Sequence, residues 1–384
     1  MSRPAGSSLQ FICKQCRHTL RRKIGQDARR FTTTRLLESR ALPTFKPTSS
    51  PELDGLLSTI RMKYFLPQYL NEHQRKLIRS SKLRSQLEND PVYATFGDEE
   101  IRLQHMDIAN EMPRKSAFLK AISLFASEDW KNLPSLLEGY HHAKANLDPQ
   151  WLGLMIQMAR EAGVMNIVVQ CLAQVERNGL SLGIPTVREQ ILLGIRQIAR
   201  EAKWDVEGTK TLRKAEHVLR HMEHPAHCGS RTVSDQDPRA EAYVVAIPLE
   251  LAARQAIRAG RDERNKVEIY SNRLIAALAQ QKSALTETAC WRLGNNLVKP
   301  LNIKKAVESL DLLVAKFIPV QSALKLAQQL RGDSWTDDER AFVAYLVKQI
   351  EQKLDAAVQE VSKYASSGVE MKIPAIDEWR HVEH

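Results

Sequence analysis

Two stretches of this chain answer each other at a fixed distance, and that distance restricts the folds open to it. Trp130-Lys131-Asn132-Leu133 stands 34 residues before Val164-Met165-Asn166-Ile167. At the same offset Phe118 answers Leu152, Ile122 answers Ile156 and Leu124 answers Met158. Each copy between Ser116 and Leu182 reads as an apolar helix, a small or polar break, a second helix and a polar exit. One helical hairpin of this kind cannot bury its own apolar face. Neighbours must therefore stack, and the predicted fold is an all-α solenoid with a continuous core and an extended concave surface.

The pattern continues beyond Leu182. Gln197-Ile198-Ala199-Arg200-Glu201-Ala202 echoes Gln157-Met158-Ala159-Arg160-Glu161-Ala162 at a spacing of 40. A third hairpin is predicted from Pro185 to His224, its second helix burying Leu212, Ala215, Val218, Leu219 and Met222. A fourth pairs 241–259 with 263–280, and Pro248 predicts a kink inside it. A 34-residue helix–turn–helix period, with the small-residue break at Ala159 to Gly163 and Gly179 at the exit, resembles the tetratricopeptide and pentatricopeptide repeat families. The stretch from 34 to 40 residues makes the array degenerate. A base-per-repeat RNA code needs regular geometry, so such a code is disfavoured. The resemblance implies a binding protein rather than a catalyst. Matrix proteins of this kind serve RNA processing, translation or the mitochondrial ribosome.

The charge is unevenly placed. The net charge is +11, of which residues 1–40 hold +8, leaving +3 for the rest. Those first residues are rich in Arg, Ser and Thr, and Leu20, Ile24 and Phe31 can share the apolar side of a basic helix. Arg29-Arg30-Phe31-Thr32-Thr33-Thr34 resembles a mitochondrial processing site, so residues 1–40 are predicted to be an import presequence cut near Arg30. A basic nucleic-acid-binding tail is the other reading. Cys13 and Cys16 lie within it, and Arg17 between Cys16 and His18 breaks the haem-attachment spacing. Cys171 and Cys290 read as core residues, and the scattered cysteines give no disulfide framework. The longest apolar run, Tyr243 to Ala253, is cut by Pro248 and Glu250 and is too short to span a membrane.

Punctuation divides the remainder. Pro43, Pro47 and Pro51 mark 41–52 as a linker, followed by a basic N-terminal helical segment at 53–113 in which Gly97-Asp98-Glu99-Glu100 opens a short helix. The solenoid is assigned to 114–224 and 239–330, separated by an exposed loop at 225–238. Two or three helices are predicted between Ser283 and Leu330. A long C-terminal helix fills 331–368, opening at the capping box Thr336 to Glu339 and running to Tyr364. Its seam of Val347, Ile350, Leu354, Ala357, Val361 and Tyr364 can cap the solenoid or bind a partner helix. An extended tail, 369–384, carries Trp379.

Two constellations are candidates for binding. Between Ile60 and Glu88 lie seven bases and two acids, interleaved with Tyr64, Phe65 and Tyr69. Clustered bases neutralise phosphates and aromatics stack on bases, so Arg75, Lys76, Arg79, Lys82, Arg84 and Tyr69 form the candidate RNA contact. Arg75, Arg79 and Lys82 share a face if one helix runs through them. The same pattern also suits a solvated helix face with its aromatics in a docking seam. The second constellation is His217, His221, His224 and Cys228, with His227 nearby. Imidazoles one turn apart can ligate zinc, and histidines at a helix C-terminus equally suit the dipole. Phosphate loops, the nucleophile elbow and H-E-x-x-H are missing, so no catalytic residue and no cofactor are assigned. The predicted function is a non-enzymatic scaffold of mitochondrial gene expression, associated with the mitoribosome or RNA. The alternative is a protein-only adaptor, such as a respiratory-complex assembly factor peripheral to the inner membrane.

Overall fold

The computed structural model describes residues 30–31, 41–204, 207–228, 237–280, 300–364 and 372–381. Cys13, Cys16, Cys290 and nearly all of the presequence lie outside them, as do 229–236 and 281–299. Helices dominate the described residues, as the sequence predicts. They fall into two compact units, residues 1–124 with 138–145, and residues 125–137 with 146–384.

In the first unit, Ser50 caps α1 (Pro51–Thr59), its hydroxyl accepting from Leu53 N–H at 3.3 Å, with Pro51 in the first turn. A π-helical stretch (Ile60–Phe65) and α2 (Leu66–Tyr69) continue it. The predicted linker is no free spacer. Leu42 is buried, and the Pro43 carbonyl accepts from Arg61 Nε at 2.8 Å, because an extended proline-rich segment still has apolar rings to bury. Leu53, Leu57, Phe65, Phe118 and Tyr140 form the core of this unit. The Phe65 ring lies so close to Gly139 that a Cβ there would sit 2.0 Å from it. Next come α3 (Glu72–Arg79), capped by Asn71 in a reciprocal box with Gln74, and α4 (Arg84–Asn89). No one helix runs through Arg75, Arg79 and Lys82: the chain breaks at Ser80-Ser81, where serines compete for the backbone and a 3₁₀ turn (Ser81–Leu83) intervenes.

A strand pair stands where a short helix is predicted at Gly97 to Glu100. β1 (Arg30–Phe31) pairs in parallel with β2 (Tyr93–Phe96), and β2 pairs antiparallel with β3 (Glu99–Arg102). Gly97 takes φ 62° in the two-residue loop, with Phe96 opposite Glu99. Val92, Ala94, Phe96, Ile101 and Leu103 alternate inward, which is strand rather than helix periodicity. The acids at 98–100 belong to a turn and an edge, not to a helix N-terminus. α5 (Ile108–Glu111) and α6 (Ala117–Ser123) close the unit.

The second unit carries the helix pairs. α7 (Leu133–His142) follows a 3₁₀ turn and gives its first half to this unit. α8 (Pro149–Glu161) packs on α9 (Met165–Leu172), and α10 (Val175–Asn178) ends at Gly179, φ 72°. α11 (Pro185–Glu201) packs on α8 and on α12 (Glu207–Met222). Burial keeps the predicted offsets in the first helices: Phe118, Leu152 and Leu192 are all buried, as are Ala159 and Ala199. In the second helices the offset is 32 rather than 34, since buried Leu133, Leu136, Leu137 and Tyr140 answer Met165, Val168, Val169 and Leu172. The shorter connector before α9 accounts for the slip.

At one buried position the series departs from apolar chemistry. Ile122 and Ile156 are followed by Arg196, whose side chain is 8% exposed. It binds Glu250, wholly buried, at 2.7 Å and Glu378 at 2.8 Å. Arg254 also reaches Glu250, and its guanidinium carbon stacks 3.9 Å above the Trp204 ring. Burial disfavours the Arg196 charge, and the two carboxylates more than reverse this.

α13 (Pro225–Cys228) corrects the predicted exposed loop. His227 is buried there: Nδ1 accepts from Leu182 N–H at 3.1 Å, so Nε2 carries the proton and donates to the Leu172 carbonyl at 3.1 Å. α14 (Ala242–Ala259) and α15 (Lys266–Gln280) form the predicted fourth pair, α14 running on through Pro248. α16 (Pro300–Arg331) is one 32-residue helix that runs on through Pro319, while 283–299 of the two or three predicted segments lie outside the described residues. It contacts α14, α15 and the two C-terminal helices, and burial on several sides leaves no single apolar stripe to read. α17 (Asp337–Ser362) has the predicted Thr336–Glu339 box and buries Val347, Ile350, Leu354, Ala357 and Val361 inside the unit. The seam is buried against the other helices of the unit and is not free for a partner.

The predicted extended tail contains a further helix, α18 (Pro374–Arg380), that docks on α16 and α17. Ala375, Ile376 and Trp379 are its buried face, which an extended tail would leave in water. Asp311 of α16 caps it, Oδ1 accepting from Ala375 and Ile376 N–H at 3.0 and 2.9 Å. Burial pushes this carboxyl up from 3.8 to about 6, although both N–H groups favour the charged form. With the folded value above the unfolded one, the stability Asp311 supplies is full below pH 3.8 and is lost as pH rises through 6. A shift of this size corresponds to about 2–3 kcal/mol. Asp311→Asn keeps the acceptor without the charge. Its melting temperature should equal or exceed the parent's at pH 7.5, and the gap should narrow by pH 5 and close only near pH 3.8. A variant less stable than the parent at both pH values would show that the cap needs the carboxylate.

Candidate nucleic-acid interface

The basic segment of the first unit presents its charges unequally. Lys76, Arg79, Lys82 and Arg84 are exposed, and Arg75 is half-buried with a sequestered Nε. Lys76 lies 3.6 Å from Glu72 and Arg84 lies 3.0 Å from Glu88, one helical turn away in each case. Such exposed pairs contribute less than about 1 kcal/mol and open readily to a phosphate. Arg79 and Lys82 have no carboxylate partner among the described residues. The break at Ser80 puts Arg79 at the end of α3 and Lys82 in the 3₁₀ turn, so the two are joined by a corner rather than a helix face.

Tyr69 must be removed from the candidate contact. It is 3% exposed, its ring 6.2 Å from Phe96 and 4.0 Å from His142. Tyr64 and Phe65 are buried too, so these aromatics belong to the seam. What remains can neutralise phosphates and fix position on a backbone; it has no stacking platform to read bases. Arg61 and Lys63, also in the basic window, are committed to Glu99 and Glu111.

The histidine constellation comes together only in part. His217 and His221 have ring centroids 4.4 Å apart, and His221 and His227 5.9 Å. Both nitrogens of His227 serve backbone groups, and His217 and His224 face outward. Among the described residues no group of three or more His, Cys, Asp or Glu is arranged to hold a metal ion. Burial first, then the charges of His217, Arg220 and His224, hold His221 below the usual imidazole range. Burial likewise raises the Cys228 thiol, and pushes Cys171 up to about 12, which suits core thiols rather than nucleophiles.

An open cleft in the first unit, lined by Thr44, Lys46, Asp54, Arg61 and Glu99, has its chemistry spent internally. Arg61 holds Glu99, and Asp54 accepts from Thr48 N–H at 3.0 Å. No helix among the described residues is long and apolar enough to cross a membrane.

Comparison with known proteins gives these features a context. The chain is 29% identical over 265 residues to the small ribosomal subunit protein mS27 of Neurospora crassa. That alignment covers 63% of this chain and 66% of the relative, just under two thirds of its length. The family model for mitochondrial ribosomal protein mS27, Mrp13, matches residues 29–380, which takes in both compact units and the C-terminal helix with its buried tryptophan. The chain belongs to the mitochondrial ribosomal protein mS27 family.

Proposed function

We propose that this protein is a non-enzymatic structural component of the small subunit of the mitochondrial ribosome, working in the matrix. The observation that carries the reading is the family match over residues 29–380, joined to a relative whose name is a small-subunit protein. The helix pairs of the second unit act as a degenerate tetratricopeptide- or pentatricopeptide-like scaffold against ribosomal protein, and residues 1–40 act as the import signal. Arg79 and Lys82, exposed and without a carboxylate partner among the described residues, touch ribosomal RNA through its phosphates. The adaptor reading has no comparable support from similarity.

Tagged protein in mitochondrial lysates should sediment with the small subunit on a gradient. Recovery with a respiratory complex and not with the small subunit would replace this reading by the adaptor. Arg79→Glu with Lys82→Glu should weaken RNA binding by the purified protein at least tenfold at low salt. Loss of two phosphate contacts should flatten the log–log salt dependence by roughly 1.5. Unchanged affinity and slope would remove the corner from the RNA interface.

A further inference from the structure

The outer face of α12 carries a second row of bases, and the net charge of its neighbourhood conceals it. Arg213, His217 and Arg220 follow one another at helical spacings of four and three residues, so they share one narrow stripe, and His224 lies just past the end of the helix. All four are exposed, while Leu212, Ala215, Val218 and Met222 are buried on the opposite side. Glu216 of this helix and Glu223 just after it are already engaged. Glu216 is held by Lys266 of α15 and by the Tyr270 hydroxyl at 3.4 Å. Glu223 accepts from Arg239 at 2.6 Å. Arg213 and Arg220 have no carboxylate partner among the described residues, and neither has exposed Arg273 on α15.

Arg273 extends the row sideways. Tyr270 of α15 bonds Glu216 of α12, and each helix carries an exposed arginine one turn from that contact, Arg273 on α15 and Arg220 on α12. Glu216 sits among these bases but is already paired with Lys266, so the exposed arginines leave the face an excess of positive charge. Such an excess attracts polyanions. Three exposed guanidiniums present paired donors that fit phosphate oxygens bidentately, which lysines do less well.

We propose that the α12–α15 face, centred on Arg213, Arg220 and Arg273, is a binding surface for the phosphodiester backbone of RNA. It is separate from the Arg79–Lys82 corner and lies wholly within the second unit. The face rests on the ribosomal reading, and it names which part of the second unit meets RNA. Recognition is of charge and spacing, with no base selectivity.

The test uses the full-length protein and two fluorescein-labelled probes, a uridine 20-mer and a 20-base-pair RNA duplex, titrated by anisotropy across 50–200 mM salt. Arg213→Glu, Arg220→Glu and Arg273→Glu together should weaken binding at least thirtyfold at 50 mM. The salt slope should fall by about 2 to 3. The matching Arg→Lys variant should retain the slope and lose less than threefold in affinity. Both variants must keep the parent's circular dichroism and melting temperature. Since these side chains are exposed, they should.

Parent-like affinity and slope in the Glu variant would overturn the proposal. If the Arg79/Lys82 reversal alone weakens binding, the α12–α15 face is wrong and the RNA reading stands. If the parent protein binds neither probe, the RNA reading itself fails. A Glu variant that binds RNA normally but no longer joins nuclease-treated small-subunit particles would assign the face to a protein partner and end the phosphate proposal.

Discussion

Arg196→Met is expected to destabilise the second unit by about 3–5 kcal/mol, the usual result of leaving a buried charge without its partner. The Arg196 side chain is 8% exposed and Glu250 is fully buried, so water cannot take over from the lost guanidinium. Arg254 stays within 3.5 Å of Glu250, but it is partly exposed and already stacked on Trp204. It offsets only part of the loss. The same substitution frees Glu378 of one of its two arginines. Thermal unfolding should move down by on the order of 10 °C. Adding Glu250→Gln removes the stranded charge, so the double variant should be more stable than Arg196→Met alone. Methionine also suits the slot in shape, because isoleucine fills the corresponding position in the two preceding copies. Stability equal to the parent's would mean that the ion cluster holds nothing together.

Trp379→Ala should undock α18. The ring is 1% exposed and its Nε1 donates to Asp355 at 2.9 Å. Large-to-small changes at such sites are worth about 3–5 kcal/mol. A seven-residue helix has no stability of its own in water, so losing its anchor should release it entirely. Hydrogen exchange is the direct measurement. The Ala375 and Ile376 amides, now bonded to Asp311, should lose protection and exchange like unfolded peptide. Trypsin should then cut after Arg380 and Lys372 well before the body of the protein is digested. Protection retained at Ala375 and Ile376 would show that the Asp311 cap alone suffices.

How much of this could be read in the chain follows the physics of each element. The pairs α8–α9 and α11–α12 were legible because each has one wet and one dry side, which imposes the 3.6-residue period; α14, buried at every residue from Ala242 to Ala253, was legible from its apolar run instead. The Thr336 box was legible because capping is local chemistry. α16 was not, because it is covered on several sides and Pro319 reads as a stop. The β2–β3 hairpin was missed because four-residue strands give only two alternations, and Asp98, Glu99 and Glu100 imitate the start of a helix. Tyr69 was misassigned because sequence neighbours of exposed bases can face the core. The bases of α12 were overlooked since Glu216 and Glu223 cancel them on paper, whereas in the fold these acids pair with Lys266 and Arg239. A count of bases at four- and three-residue spacing would have found the row.

The bond from Arg196 to Glu378 joins residues 182 positions apart, and it bears on how the molecule is made. As the protein folds, Glu250, 54 positions from Arg196, can reach it early, whereas Glu378 arrives only when α18 docks. Until then the arginine is incompletely neutralised. A stop codon placed just before α18 should therefore yield a product cleared by proteases, although every repeated helix pair is intact.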